Sequence, residues 1–269
     1  LESTPEGPLQ GNQGFGGAFG YLTEGGPGAN PLPLESLMNT IPESSLWPIN
    51  DEWNWHCGNQ NGLFGSLEHF TPALNARYGT SSSAKEYLYK SAVASYESHR
   101  AMYEAYARNK YTTATGVINW MLNNAWPSHI WNLYDYYLNA NGGNGGFFGT
   151  RKALKYKYGY HLMLSYTDNS VWLISSPDAE NDYDGDYMIA KAYIRDIMNG
   201  GQILMEKNKT VDIKSVNEDG SMELFTIENN EHGLKLWLIQ LVLIDGDDSM
   251  LKMDESVYWY SSKMDVLDW

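Results

Sequence analysis

The chain has 269 residues, 42% hydrophobic and 19% charged, a balance that suits folded domains in water and not a disordered chain. A net charge of -15 repels phosphate backbones and anionic headgroups, which sets nucleic acid and membrane surfaces aside as partners and leaves neutral or cationic ligands open. No run reaches the ~18 apolar residues of a membrane span, the polar opening LEST is no signal peptide, and the lone Cys57, read as a small hydrophobe, excludes an internal disulfide framework or a cysteine-rich zinc site.

In chain order, residues 1–13 are rich in Pro, Gly and polar side chains and read as loop. An apolar run over 17–23 predicts a buried strand that ends at Glu24, and the Gly-Gly-Pro-Gly that follows calls for an irregular loop. A short helix is expected over 34–40. Residues 47–61, which hold Trp47, Trp53, Trp55 and His56, fit neither the helical nor the strand period and read as an aromatic loop. Ser83 followed by Glu86 makes a capping box, and Ala84, Leu88, Ala92, Ser95, Met102 and Tyr106 continue from it as one helical stripe to Asn109. A strand is predicted over 115–122, opening onto Asn123, Asn124 and Trp126; a helix is expected over 128–138, closed by a flexible turn over 141–146.

From about Tyr158 the pattern changes to short strands. A hairpin is expected over 160–174, with further strands over 188–198, 202–206, 222–228, 234–244 and 256–262 separated by turns such as Asn199-Gly200-Gly201 and Asp219-Gly220. The fold class is therefore α/β plus all-β, with residues 1–155 as an α/β domain and 156–269 as an immunoglobulin-like sandwich of about seven strands. The triplet Asn208-Lys209-Thr210 fits the N-glycosylation acceptor pattern, which matters if the protein is secreted.

Strand ends at Glu24 and after Leu122 lie on one face if the sheet is parallel, and in a βα barrel that is the face where active sites form. The small residues around Glu24 leave room for a ligand to approach its carboxylate. Three readings stand for Glu24. It closes a loop as an ordinary polar residue; or it binds a metal, which the lack of ligand-spaced His or Asp disfavours; or it is the nucleophile of glycoside hydrolysis. The 10 Trp and 20 Tyr weigh toward sugar, whose flat C–H faces match aromatic plates. No Gly-x-Ser-x-Gly elbow, phosphate loop or dinucleotide fingerprint is present, and the acidic turn over 182–186 lacks the glutamate of a calcium loop.

Six stretches resemble glycoside hydrolase family 2: GGAFGYLTE (16–24), LWPINDEWNWH (46–56), LNARYG (74–79), SHRAMYEAYARNKY (98–111), TGVINWMLNNAWPSHIWNLYDYYL (115–138) and GGFFGTRKA (145–153). The resemblance is to its exo-β-D-glucosaminidase branch, related to the β-mannosidases, and the closing VYWYSSKMDVLDW (257–269) is similar to the end of the sandwich that follows the barrel. It implies the carboxyl-terminal portion of a TIM (β/α)8 barrel and a retaining mechanism. Glu24 would be the nucleophile at the end of the seventh strand; Trp120, Asn123 and Asn124 would line the pocket, and Trp53 and His56 would either contact sugar or serve the structure. Asn119 and Trp126 would support the site. The substrate implied is a β-linked oligosaccharide, of chitosan type or a mannoside, with no metal or organic cofactor. The family's general acid/base stands at the end of the fourth strand, whereas this chain opens just before the seventh, so a companion polypeptide is expected to supply the remaining barrel and that acid. A secreted or lysosomal/vacuolar location accompanies this reading. The rival is a non-catalytic carbohydrate-binding or structural subunit that keeps the scaffold, and a weaker third is a lectin-like sandwich.

Overall fold

The computed structural model describes residues 18–57, 66–129, 131–137, 145–179, 183, 185–228, 237–246 and 251–260. They are mixed α and β and fall into two compact units. One takes Leu22–Tyr103 and Val117–Lys152; the other takes residues 18–21, Glu104–Gly116 and the described residues of Ala153–Trp269. The division therefore passes through the sequence at several places, the last between Lys152 and Ala153.

Strands β1 (Gly20–Gly25) and β2 (Ala114–Asn119) form a two-stranded sheet. Gly20 N donates to Thr113 O at one end and Trp120 N to Gly25 O at the other, each at 2.7 Å. Both partners' numbers rise together, so the strands run parallel, and their carboxyl ends share one edge. A parallel pair needs a long crossover, and its described residues include the α-helices α1 (Leu34–Met38), α2 (Asp51–Cys57), α3 (Ser66–Tyr78) and α4 (Ala84–Arg108).

Helix α4 starts as expected. Glu86 N donates to Ser83 Oγ at 3.3 Å, but the Glu86 carboxylate reaches one residue further back, accepting from Ser82 N and Ser82 Oγ at 2.8 Å. Lys90 and Ser82 together hold this carboxyl down to about 2. The buried stripe runs through Ala84, Leu88, Ser91, Ser95, His99, Tyr103 and Tyr106, at helical spacing, with Ala92 and Met102 half-buried beside it. After β2 comes α5 (Gly145–Leu154), whose backbone presses on α4. A Cβ on Gly145 would stand 1.7 Å from Ala92 O, so no larger residue fits there.

Several expectations fail in this unit. Residues 51–57 are helical, not loop, and α3 was not anticipated; it carries Pro72 in its interior. Of the helix expected over 128–138, the described residues are irregular, because their amides find distant carbonyls. His129 N donates to His56 O, Trp131 N to Ala29 O, Leu133 N to Met121 O and Tyr134 N to Leu122 O, at 2.6 to 3.1 Å. Residues 145 and 146, read as the end of a turn, open α5; 141–144 and the loop over 1–13 lie outside the described residues.

The second unit holds β3 (Tyr160–Leu164), β4 (Ser170–Ser175), β5 (Tyr187–Asp196), β6 (Gln202–Asp212), α6 (Ile213–Asp219), β7 (Ser221–Thr226), β8 (Trp237–Asp245) and β9 (Lys252–Tyr260). They make two antiparallel sheets, ordered β3-β4-β7 and β6-β5-β8-β9. Along β5, Met188, Ala190, Ala192 and Ile194 alternate with half-buried residues, and they share one core with Leu162, Val171, Leu173, Ile239, Leu241 and Leu243. Helix α6 is an addition to the expected strands. Asp212 caps it by accepting from Lys214 N at 2.9 Å, and Gly220 ends it in the left-handed conformation at φ 77°, so the Asp219-Gly220 turn signal is a helix end. Lysines of β6 guard the open edge of β7: Lys207 Nζ donates to Thr226 O at 2.7 Å and Lys209 Nζ to Leu224 O at 3.1 Å.

Candidate active site

Glu24 is exposed on the last turn of backbone before β1 ends. The loop after it passes very close to β2: a Cβ on Gly26 would lie 2.6 Å from Trp120 O and 3.7 Å from Asn119 Oδ1. The missing side chain at Gly26 thus lets the two strand ends meet, a tighter reason for that glycine than an open pocket. Trp120, 47% exposed, opens the loop beyond β2 with a cis peptide bond to Met121. Beside it, both polar atoms of the Asn119 amide are buried without a hydrogen-bond partner among the described residues. A buried, unpaired amide costs ~1–3 kcal/mol, so this end of the sheet is poised for a further group.

Beyond Trp120, Asn123 Nδ2 donates to Asn124 O at 3.2 Å, and the buried Asn124 donates to Ser128 Oγ at 2.5 Å. Asn124 therefore braces its own loop, while Asn123 stays half-buried. His56 lies between two rings, 5.4 Å from Trp126 and 4.7 Å from His129, nearly parallel to both. Its Nδ1 stands 2.8 Å from Pro127 O, an acceptor only, so Nδ1 carries the proton and Nε2 of the neutral ring is left to accept. His129 is fixed in turn: Thr40 Oγ1 donates to Leu37 O, so His129 Nε2 donates to Thr40. Burial, helped by His56, pushes His129 down to about 3 and keeps it neutral.

No protein-family model matches the chain. Among curated proteins it is 31% identical over 260 residues to the exo-β-D-glucosaminidase of Hypocrea jecorina, covering 95% of this chain and 27% of that protein. It is 30% identical over 262 residues to the exo-β-D-glucosaminidase of Streptomyces avermitilis, covering 94% and 27%. The fold superposes on the crystal structure of Amycolatopsis orientalis exo-chitosanase CsxA with a TM-score of 0.75 at 25% identity, over 92% of this chain and 28% of that one. These residues form an exo-β-D-glucosaminidase-like region, in line with the resemblance to glycoside hydrolase family 2. The chain spans about a quarter of the length of the curated relatives it matches.

Within this exo-β-D-glucosaminidase-like region, Trp53 takes the structural one of the two roles left open for it. Trp53 is fully buried, edge-on to Tyr87 and His129, and its indole Nε1 donates to Ser45 O and Leu46 O at 3.2 Å. Trp53 is therefore a packing residue that carries α2. Sequence reasoning put Trp126 in a supporting role and passed over His129; the one signal for the pair is their position two and five residues after Asn124. Among the described residues no three His, Cys, Asp or Glu side chains gather as a metal site, and no helix is long and apolar enough to cross a membrane.

Proposed function

We propose that this region carries the nucleophile half of a retaining, exo-acting β-glycosidase active site, with Glu24 as the nucleophile. The observation that carries the reading is an exposed carboxylate at the carboxyl end of β1, on the same edge as Trp120 and the loop beyond β2. On this reading β1 and β2 are the seventh and eighth strands of a TIM (β/α)8 barrel, and β3 to β9 form an immunoglobulin-like sandwich.

The surface of the parallel pair favours such a barrel. Tyr21, Ile118 and Leu122 are 57, 49 and 58% exposed. Parallel strands are ordinarily covered on both faces, and two strands alone are marginal in water, so further barrel strands would bury these side chains. That polypeptide would also bring the general acid/base.

The chemistry follows from two carboxyl groups about 5–5.5 Å apart. Glu24 attacks the anomeric carbon while the acid protonates the leaving oxygen. The same acid, now a base, takes a proton from water, which releases the sugar from Glu24 with retained configuration. Trp120 offers an apolar plate to the ring, Asn123 a hydrogen bond to its rim, and His56 Nε2 an acceptor for a hydroxyl or ammonium. Chitosan-type oligosaccharides ending in glucosamine suit the net charge of -15, whose field draws cationic sugars inward. A secreted or lysosomal/vacuolar location matches such a substrate.

The test is Glu24→Gln in the full protein, assayed with an aryl β-D-glucosaminide and the matching mannoside. Loss of hydrolysis with retained substrate binding supports the assignment; undiminished turnover sinks it and leaves a non-catalytic carbohydrate-binding subunit.

A further inference from the structure

We propose that Asn208 is an N-glycosylation site and that its glycan shields the free edge of β6. The acceptor triplet Asn208-Lys209-Thr210 lies in the second half of β6, an 11-residue strand that, among the described residues, stands outermost in its sheet and pairs with β5 alone. Side chains alternate along it. Lys207 and Lys209 turn to one side, half-buried, with their ammonium groups tied to the carbonyls of Thr226 and Leu224. Glu206, Asn208 and Thr210 turn to the other and are exposed. The two groups a glycosyl transferase must read, the amide and the hydroxyl, are thus presented together in solvent, while the lysine between them is held away. Neither Asn208 nor Thr210 makes a side-chain hydrogen bond among the described residues, so modification breaks nothing in the fold.

A long edge strand is also a hazard, because its unpaired backbone can template another chain. The β7 edge is blocked by the two lysines. At the other end of β6, Ile203 and Leu204 are 45 and 46% exposed and no charged residue stands between them and the tip of the hairpin at Gly201. A bulky hydrated glycan at Asn208 would stop a second strand from adding along β6. In the transfer, Asn208 Nδ2 bonds to the anomeric carbon of an N-acetylhexosamine, the anomeric C–O bond to a polyprenyl-pyrophosphate oligosaccharide donor breaks, the lipid pyrophosphate leaves, and the amide proton passes to a base of the transferase.

The reading rests on passage through a secretory compartment and is independent of the glycosidase assignment: activity with an unmodified Asn208 refutes only the glycan. The native full-length protein is treated with peptide-N-glycosidase in ¹⁸O-water and digested. The expected result is a loss of apparent mass, with the label found as aspartate at position 208. In a eukaryotic secretory host, Asn208→Gln and Thr210→Ala abolish the mass shift and Thr210→Ser keeps it. An unmodified peptide over 207–211 from native protein, or a shift that survives Thr210→Ala, overturns the site. Light scattering on Asn208→Gln reads the second part: larger oligomers than wild type support the shield, and an unchanged size refutes it.

Discussion

His161 Nε2 stands 2.8 Å from Glu104 Oε1, with both side chains buried. The other ring nitrogen is 2.9 Å from Asp254 Oδ2, Tyr258 donates to Glu104 at 2.8 Å, Leu162 N donates to Asp254 at 3.0 Å, and Tyr156 stacks on the imidazole at 5.0 Å. The final turn of α4 is thereby joined to β3 and β9 by one imidazole held between two carboxylates. Burial alone would lower the histidine; the hydrogen bonds to Asp254 and Glu104 outweigh it and raise it above its ordinary value.

That arrangement predicts an alkaline loss of stability. A histidine with a raised folded value contributes fully below its unfolded value near 6.5, and the contribution fades as pH climbs through the folded value. The unfolding midpoint is expected to fall on that side. His161→Leu leaves the buried Glu104 carboxylate and the half-buried Asp254 carboxylate without the imidazole between them and should cost about 3–5 kcal/mol. Chemical denaturation across pH 6 to 10 checks both, and a wild-type curve flat over that range contradicts them.

On the acid side the opposite slope is expected. Burial pushes His99 down to about 4 and His129 to about 3, so between pH 6.5 and those values the unfolded chain takes up protons the folded chain refuses. Stability then drops as pH falls, by up to about 1.4 kcal/mol per pH unit for each ring. His129→Asn should flatten the acid limb of the curve. The same denaturation series reads it.

Trp53 and Trp120 should separate cleanly. Trp53→Ala empties a fully buried site and should destabilise by ~3–5 kcal/mol with KM unchanged. Trp120→Ala should leave the unfolding midpoint close to wild type and raise KM, since half of that ring already faces solvent. Paired denaturation and kinetics on the full protein decide.

Glu24→Ala, the severe form of the glycosidase test, should lower kcat by a factor on the order of 10³ or more. Azide added as a substitute nucleophile should restore turnover with inverted product. Product configuration by NMR is the measurement.

The Lys207→Ala, Lys209→Ala double variant should open the β7 edge. Its carbonyls lose their donors, and association rising with protein concentration is expected by light scattering.

Patterns that depend on near neighbours could be read from residues alone. Met188, Ala190, Ala192 and Ile194 alternate because a strand with one buried face has period two, and Ser83 with Glu86 marks the start of α4 because a helix leaves its first amides unpaired. Glu24 at a strand end beside Gly26 was visible for the same reason. Local pattern misled wherever distant groups competed for the backbone. Residues 128–137 have helical spacing, yet Ala29, His56, Met121 and Leu122 offer their carbonyls first, and no window of sequence contains those partners together. Trp53 sat in a polar and aromatic stretch that left its role open; Ser45, Leu46, Tyr87 and His129 close around it only once the chain has folded. The sequence by itself determined the strand and helix periods, the acid at the end of β1 and the resemblance to family 2. Tertiary structure alone decided which aromatic rings face solvent and where Glu104 and Asp254 find their histidine, because burial and ion pairing depend on contacts far apart along the chain.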